Sequence, residues 1–169
     1  MAHDVHNITP GAYTDSHATP KYNLGTISWA NDGTAYRYVQ VDDAVDLIVG
    51  HVVCYEGAEA NGYVVTPDRD SDEASTLAAG VAVAIVDVSA NPYCWIQVSG
   101  YCATVLGDGS VAAGEFVVPH ASTDGAADTM IANTDGSSTA HTEHQAFGLC
   151  LTSDTGTPDV FDAILRGII

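Results

Sequence analysis

The sequence predicts an all-β protein, built as a single antiparallel β-barrel or sandwich domain with an extended N-terminal arm. Short runs rich in Val, Ile, Tyr and Trp recur along the 169 residues, and these residue types favour strands. Turn-forming Asn-Gly and Asp-Gly pairs follow or precede several of the runs, as they do in β-hairpins. About eight to ten short strands spaced in this way are typical of sandwiches and barrels, and a helix-rich fold is not expected.

The stretch from Val81 to Val118 is expected to form the central sheet. Its longest run, Cys94 to Leu106, alternates between two faces because neighbouring residues of a strand point in opposite directions. One face carries Cys94, Ile96, Val98 and Cys102, and the other carries Trp95, Gln97, Ser99 and Tyr101. Gly107-Asp108-Gly109 then predicts a tight turn into a strand that ends at Val118. The sequence therefore predicts a three-strand antiparallel meander.

Further strands are expected on both sides of this sheet. They are predicted at residues 27–29 and 35–41 (a hairpin), 47–55 (with Gly50 as a bulge or bend), 63–66, and 146–151 with 160–166 (a closing hairpin). The polar, small-residue segment from Pro119 to about Glu143 reads as a long surface loop with one short strand near Thr129 to Ile131.

Residues 1–23 are predicted to form the extended arm, and residues 24–169 the β domain. The arm shows neither helical nor alternating apolar periodicity, so it does not read as a regular element. It is either a frayed terminus or a strap laid over a neighbouring subunit, and the sequence leaves both open.

The charge balance limits the kinds of partner that the protein can bind. There are 22 acidic residues against four basic ones, and the formal net charge is -18. The four cations are Lys21, Arg37, Arg69 and Arg166, too few for the basic patch that nucleic acid or an anionic membrane requires. The longest apolar run, residues 77–86, is shorter than the roughly 20 residues of a membrane span. No secretory signal is visible at the N-terminus, so we expect the protein to be made and kept in a cytosol.

Four cysteines, Cys54, Cys94, Cys102 and Cys150, include no C-x-x-C pair. We expect them to be reduced and to fill the core as small apolar side chains. A disulfide formed after release into an oxidising medium is the alternative.

Candidate metal motifs are incomplete. Asp68, Asp70 and Asp72 alternate as calcium-loop ligands do, but the sixth position is Glu73 and the twelfth is Ala79, so the EF-hand pattern fails. His141 and His144 flank an acidic residue without further ligands nearby, and H-E-x-x-H is absent. We therefore expect no metal ion and no other cofactor.

Catalytic motifs are also missing. There is no G-x-S-x-G, and no cysteine lies in an electropositive setting. The glycines at Gly107 and Gly109 lie between strands beside an acid, which would repel phosphate. The sequence therefore names no catalytic residue and predicts that the protein is not an enzyme; a small hydrolase on a β scaffold is the weakest alternative.

Several stretches, in this order, resemble the cement (head decoration) proteins of tailed-bacteriophage capsids. They are 35–39 (AYRYV), 93–100 (YCWIQVSG), 107–115 (GDGSVAAGE), 147–151 (FGLCL) and 164–167 (ILRG). Together they are spread over residues 24–167, while the arm and residues 121–143 lie outside the resemblance.

The resemblance implies a homotrimer on the outer capsid surface of a virion, assembled in the host cytoplasm, where it clamps subunits of the major capsid protein. Neither a nucleic acid nor a membrane partner is expected, because of the charge balance given above. Capsid or inter-protomer contacts are expected from the arm and the neighbouring β edges, at Tyr13, Tyr22, Trp29, Tyr36, Arg37 and Tyr38. The alternative is a carbohydrate- or host-surface-binding module, with Tyr36, Tyr38, Trp95 and Tyr101 as an exposed aromatic platform.

Overall fold

The all-β prediction is confirmed. The structure, a computed structural model, describes residues 12–42, 46–55, 62–67, 78–82, 91–120, 122–130, 146–156 and 159–167. These residues contain a 3-10 turn (Ala12–Thr14) and ten strands: β1 (Ile27–Trp29), β2 (Ala35–Val41), β3 (Val52–Tyr55), β4 (Val64–Thr66), β5 (Ala78–Ala82), β6 (Tyr93–Gly107), β7 (Phe116–Pro119), β8 (Ala127–Thr129), β9 (Gly148–Cys150) and β10 (Asp159–Arg166).

Five strands close into a barrel. β2, β4, β3, β5 and β6 pair in that order, and β6 pairs back onto β2. β2 and β4 run parallel, with Gln40 opposite Val64, whereas the other four pairings are antiparallel. The side chains enclosed here form the first core: Ala35, Val39, Val41, Leu47, Val53, Val65, Cys94, Ile96 and Val98.

A second circuit of strands shares β6 with the barrel. From β6 the pairing runs through β10, β9, β7 and β8, and it returns to β6 through the single parallel pair Gly107–Ala127. Its interior forms the second core: Val52, Cys102, Val105, Val111, Val117, Ala127, Phe147, Cys150, Phe161, Ala163 and Leu165.

β6 serves both circuits because it changes partner halfway. Residues up to Ser99 pair with β2, and residues from Ser99 onward pair with β10. Gly100 lies at this change with φ 93°, a region that favours glycine. An added Cβ would come within 3.0 Å of the Cα of Thr34. The predicted inward face, Cys94, Ile96, Val98 and Cys102, is buried in the two cores.

The predicted meander is correct for β5 and β6 and wrong for β7. β5 and β6 pair antiparallel, but β7 pairs with β8 and β9 and with no other described strand. The reason lies after Gly107. The N–H of Gly109 donates to the carboxylate of Asp154, and the N–H of Asp154 donates to the carbonyl of Val111. These bonds hold the chain in a longer loop instead of a tight turn back onto β6.

The predictions for the strands that flank the central sheet agree more closely with the structure. The pairs β1–β2 and β9–β10 are antiparallel as expected. Gly50 lies in the turn before β3 with φ 91° instead of within the strand, and β8 lies close to the expected short strand. The acidic run at residues 68–73 and the histidines at 141 and 144 lie outside the described residues.

Residues 12–24 lie on the outer face of the barrel of their own chain. His17 forms an isolated antiparallel bridge with Tyr93, and Tyr13 packs in a buried aromatic cluster with Tyr38 and Trp95. Tyr22, Leu24, Ala30, Tyr36 and Tyr93 surround this aromatic cluster. The described part of the arm therefore packs on the barrel of its own chain, where its tyrosines bury the outward face of β2 and β6.

Candidate functional site

The six residues expected to make contacts differ in their exposure. Tyr13, Arg37 and Tyr38 are buried, Tyr22 and Tyr36 are half-buried, and Trp29 is exposed. A buried side chain cannot supply a large contact area without refolding of its surroundings. Trp29, with 42% of its surface exposed, is the one of the six that is available to a partner.

Trp29 ends β1, and β1 is an edge strand. β1 pairs with β2 on one side only, among the strands that the structure describes. An edge strand presents backbone N–H and C=O groups that can pair with another chain. The edge of β1 and the indole of Trp29 therefore form a surface suited to strand addition with a large apolar anchor.

Arg37 is part of the barrel interior. Its guanidinium donates to the hydroxyl of Tyr55 and lies 5.9 Å from the ring centroids of both Tyr55 and Tyr63. Burial raises the pKa of Tyr55, and the neighbouring guanidinium opposes that shift. The Arg37 side chain therefore packs against Tyr55 and Tyr63 in the barrel and does not face a partner.

The aromatic platform expected for sugar binding is not assembled. Tyr38 and Trp95 have no exposed surface, and the ring of Tyr13 stacks on that of Tyr36 with centroids 4.0 Å apart. Of the four aromatic residues, Tyr101 alone is exposed, and it lies in the half of β6 that pairs with β10.

Three polar side chains from separate loops and strands converge, which the sequence did not predict. Asp108, His120 and Asp128 place one ligand atom each within 4.8 Å of one another. Nε2 of His120 lies 3.1 Å from Oδ2 of Asp108. The hydroxyl of Ser110 lies 2.6 Å from Asp108 Oδ1 and 3.1 Å from Asp128 Oδ1. The residues are 8 to 20 positions apart, so no spacing motif could have revealed them.

The hydrogen bonds of His120 argue against a metal ion at this cluster. Its Nδ1 accepts from the backbone N–H groups of Ser122 and Thr123, at 3.0 and 2.8 Å. The proton of the neutral ring is therefore on Nε2, which donates it to Asp108. A metal ligand would need that nitrogen bare. The serine does not hydrogen-bond the imidazole, so the arrangement also lacks the order of a nucleophile–base pair. The cluster joins two loops.

None of the four cysteines, all of which lie in the described residues, forms a disulfide, and all four are buried, as the sequence predicts. Burial raises the pKa of Cys94 to about 12, which removes thiolate reactivity near neutral pH. Cys102 and Cys150 lie on opposite sides of Ala163 in the sheet. They are thus two strand spacings apart, about 9–10 Å, too far for a disulfide.

A row of apolar side chains crosses the outer face of the second circuit. Tyr101 lies opposite Ile164, Ile164 opposite Leu149, and Leu149 opposite Phe116. Residues directly opposite each other share a face of a sheet, so these four form one line, named here the outer apolar row. Beside Phe116 lies a depression of about 430 Å³ lined by Phe116, Met130, Ala146, Gly148 and Arg166.

The alternation along each strand could have predicted that single members of this row face outward. It could not have predicted that the four residues lie in one line. Ile164 alternates with the buried Ala163 and Leu165 along β10. The register that aligns four strands is set by tertiary pairing. A pairing shift of one residue would send each side chain to the other face.

No helix in the described part of the chain is long and apolar enough to cross a membrane. Comparison of the chain with protein-family models, with curated proteins and with solved structures finds no match in any of the three.

Proposed function

We propose that this protein is a capsid decoration (cement) protein. It binds the outer surface of a tailed-phage head, stabilises contacts between subunits of the major capsid protein, and catalyses no reaction. The observation that carries the proposal is the exposed indole of Trp29 at the end of β1, a strand that pairs with β2 alone among the described strands. A small protein that clamps a lattice acts through strand edges and apolar anchors repeated in many copies.

The resemblance stated from the sequence falls on elements with a clear structural role. Its stretches coincide with β2, the first half of β6, the loop after Gly107, β9 and the end of β10. These segments build both circuits and the strand they share. The resemblance therefore falls on the strands that build the domain, and a relation to cement proteins in fold and function is part of the proposal.

The polar groups within the described residues support a structural role. His120 is committed to Asp108 and to two backbone amides. Asp154 is buried and accepts from the N–H groups of Gly109 and Gly156. Such hydrogen bonds hold the loops that carry these residues in place. Localisation on the outer virion surface, and a homotrimer formed by copies bound to the capsid lattice, are part of the same proposal.

Cosedimentation with empty, expanded capsid shells from the same genome tests the proposal. The wild-type chain should pellet with the shells at a fixed ratio. Trp29→Ala should weaken binding at least tenfold, because truncating a central aromatic anchor costs about 2 kcal/mol or more. Phe116→Ala is the matched control, since Phe116 is exposed to nearly the same extent, 41%, but lies in the second circuit.

Two results would contradict the proposal. The first is a wild-type chain that stays in the supernatant at every shell concentration. The second is equal binding by the wild type and Trp29→Ala, which would remove the β1 edge as the contact. Deletion of residues 1–23 examines the arm separately; unchanged shell binding would show that the arm serves its own barrel alone.

A further inference from the structure

The outer apolar row contains large apolar side chains that are exposed to solvent. Tyr101 is 53% exposed, Phe116 41% and Ile164 38%. Single exposed apolar residues are ordinary. Residues in register across four neighbouring strands make a continuous apolar face, and such faces mark contact surfaces.

Two charged side chains flank the row at equal distances. Asp162 precedes Ile164 by two residues and Arg166 follows it by two. All three share the outward face of β10, and at about 3.3 Å per residue each charged residue lies about 7 Å from the row along the strand. The hydroxyl of Tyr101 donates to Asp162 at 2.9 Å, and the guanidinium of Arg166 lies 5.9 Å from the ring centroid of Phe116.

This placement is self-complementary. We propose that the face pairs with the same face of a second copy of this chain about a two-fold axis along the outer apolar row. A half-turn about that axis exchanges the two sides of the row. Asp162 of each copy then faces Arg166 of the other, while Ile164 meets its own equivalent in the partner. Such a contact is isologous, with every interaction made twice.

The charge of the chain favours a second copy over other occupants. With 22 acidic and four basic residues, most surfaces of two copies repel each other. The face around the row carries one acid and one base on β10, so repulsion is locally cancelled there. A basic partner would instead be drawn to the acidic surfaces elsewhere. The inference is independent of the proposed function, because Trp29 is not part of this face.

The contact is expected to be weak. The row spans three strand spacings, about 14 Å, and the charged pair spans about 13 Å along β10. This area is well below the roughly 800 Å² per partner of a standard interface. Self-repulsion weakens it further in low salt, whereas at 1 M salt charges more than about 3 Å apart are screened. Dimers should therefore appear at high protein concentration and become more populated as salt rises from 0.05 to about 0.5 M.

Sedimentation equilibrium on the full chain, with three variants, tests the inference. Ile164→Glu places two carboxylates at the centre of the contact and should raise the dimer dissociation constant at least tenfold. Asp162→Arg alone and Arg166→Asp alone should each do the same, since each sets like charges opposite one another. Because Ile164, Asp162 and Arg166 are not fully buried, each variant should fold, which circular dichroism and the melting temperature verify.

An equimolar mixture of the Asp162→Arg chain and the Arg166→Asp chain is the decisive sample. Each chain alone is self-repelling, but together they oppose unlike charges at both positions. The mixture should therefore form a one-to-one heterodimer, and the wild-type affinity should be restored within a few-fold. A surface that binds a different partner, or a general loss of stability, would not produce this rescue.

Three outcomes would overturn the inference. One is a wild-type chain that remains monomeric to about 1 mM in high salt, well above the micromolar constants of ordinary weak complexes. Another is association, including trimer formation, that Ile164→Glu leaves unchanged. The third is loss of shell binding by Ile164→Glu with no self-association of the wild type. That result would assign the row to the capsid surface and leave the proposed function standing.

Discussion

The hydroxyl of Tyr38 lies 2.9 Å from Nδ1 of His17, and this contact ties the arm to the barrel. The same hydroxyl accepts from the backbone N–H of Lys21 at 3.2 Å. Tyr38 has no exposed surface, so both hydrogen bonds form away from bulk water. One side chain of β2 thus fixes two points of the arm.

Tyr38→Phe should loosen the arm without unfolding the barrel. The substitution removes the partner of a buried imidazole and of a backbone amide, at a cost of about 1–3 kcal/mol. Hydrogen exchange should speed up at residues 15–24 and stay slow in β6. Tyr36→Phe, on the same face of β2, is the matched control. Equal exchange in all three proteins would show that packing alone holds the arm.

Stability should fall on mild acidification. Burial lowers the pKa of His17, with Lys21 adding to the shift; burial also lowers the pKa of His51, opposed by the carboxylate of Asp124. The unfolded chain then binds more protons than the folded one as pH falls through about 6.5, so the free energy of unfolding decreases, by at most about 1.4 kcal/mol per pH unit for each histidine.

Urea unfolding between pH 8 and 5.5 measures this effect. The free energy of unfolding should be level above about pH 7.5 and decline below it. The double variant His17→Gln/His51→Gln should show a shallower decline. If its slope equals that of the wild type, other groups are responsible for the acid sensitivity.

Gly50→Ala should be among the most damaging single substitutions. Gly50 has φ 91°, and a Cβ there would overlap the backbone carbonyl oxygen of Thr104. Gly33 has a similar φ of 86°, with no heavy atom within 4 Å of an added Cβ. Gly33→Ala should therefore cost only the backbone strain, about 1–2 kcal/mol, and Gly50→Ala clearly more. Denaturant midpoints compare the two; equal losses would contradict the clash.

Asp154→Ala should destabilise the loop that separates β6 from β7. The carboxylate is 6% exposed and accepts from the N–H groups of Gly109 and Gly156. Charge-assisted bonds of this kind contribute about 1.5–3 kcal/mol each, so the loss of both is expected to cost about 3–6 kcal/mol. The loss of stability caused by Asp154→Asn should be smaller than that caused by Asp154→Ala. Asp46→Ala, at an exposed position, should change the stability little. A melting temperature unaffected by Asp154→Ala would show that the loop does not depend on this residue.

The fold class and most strands could be predicted because they follow from local signals. The Asp32-Gly33 turn and the alternation along β6 each act over a few residues. The partner of β7 could not be predicted, because Asp154 redirects the chain from 45 positions away. The convergence of Asp108 with His120 has the same origin, since loops joined only by tertiary pairing leave no mark in spacing.

The predicted contact residues differ in burial, and the composition of a segment does not reveal which of its side chains are buried. Tyr13 and Tyr38, two of the predicted contact residues, pack in one buried aromatic cluster, and a contact made by them stays a prediction. An aromatic-rich arm and an aromatic strand face are each compatible with a partner or with one another. Trp29 alone among the six keeps the exposure that the prediction needs.

The proposed role of the protein is to decorate a capsid. Electron cryomicroscopy of empty, expanded shells from the same genome, incubated with the purified chain, tests it most directly. The account predicts ordered β-rich density on the outer surface at junctions between capsid subunits, with the edge of β1 and Trp29 against the shell. Shells whose outer surface is unchanged by a saturating concentration of the chain would contradict it.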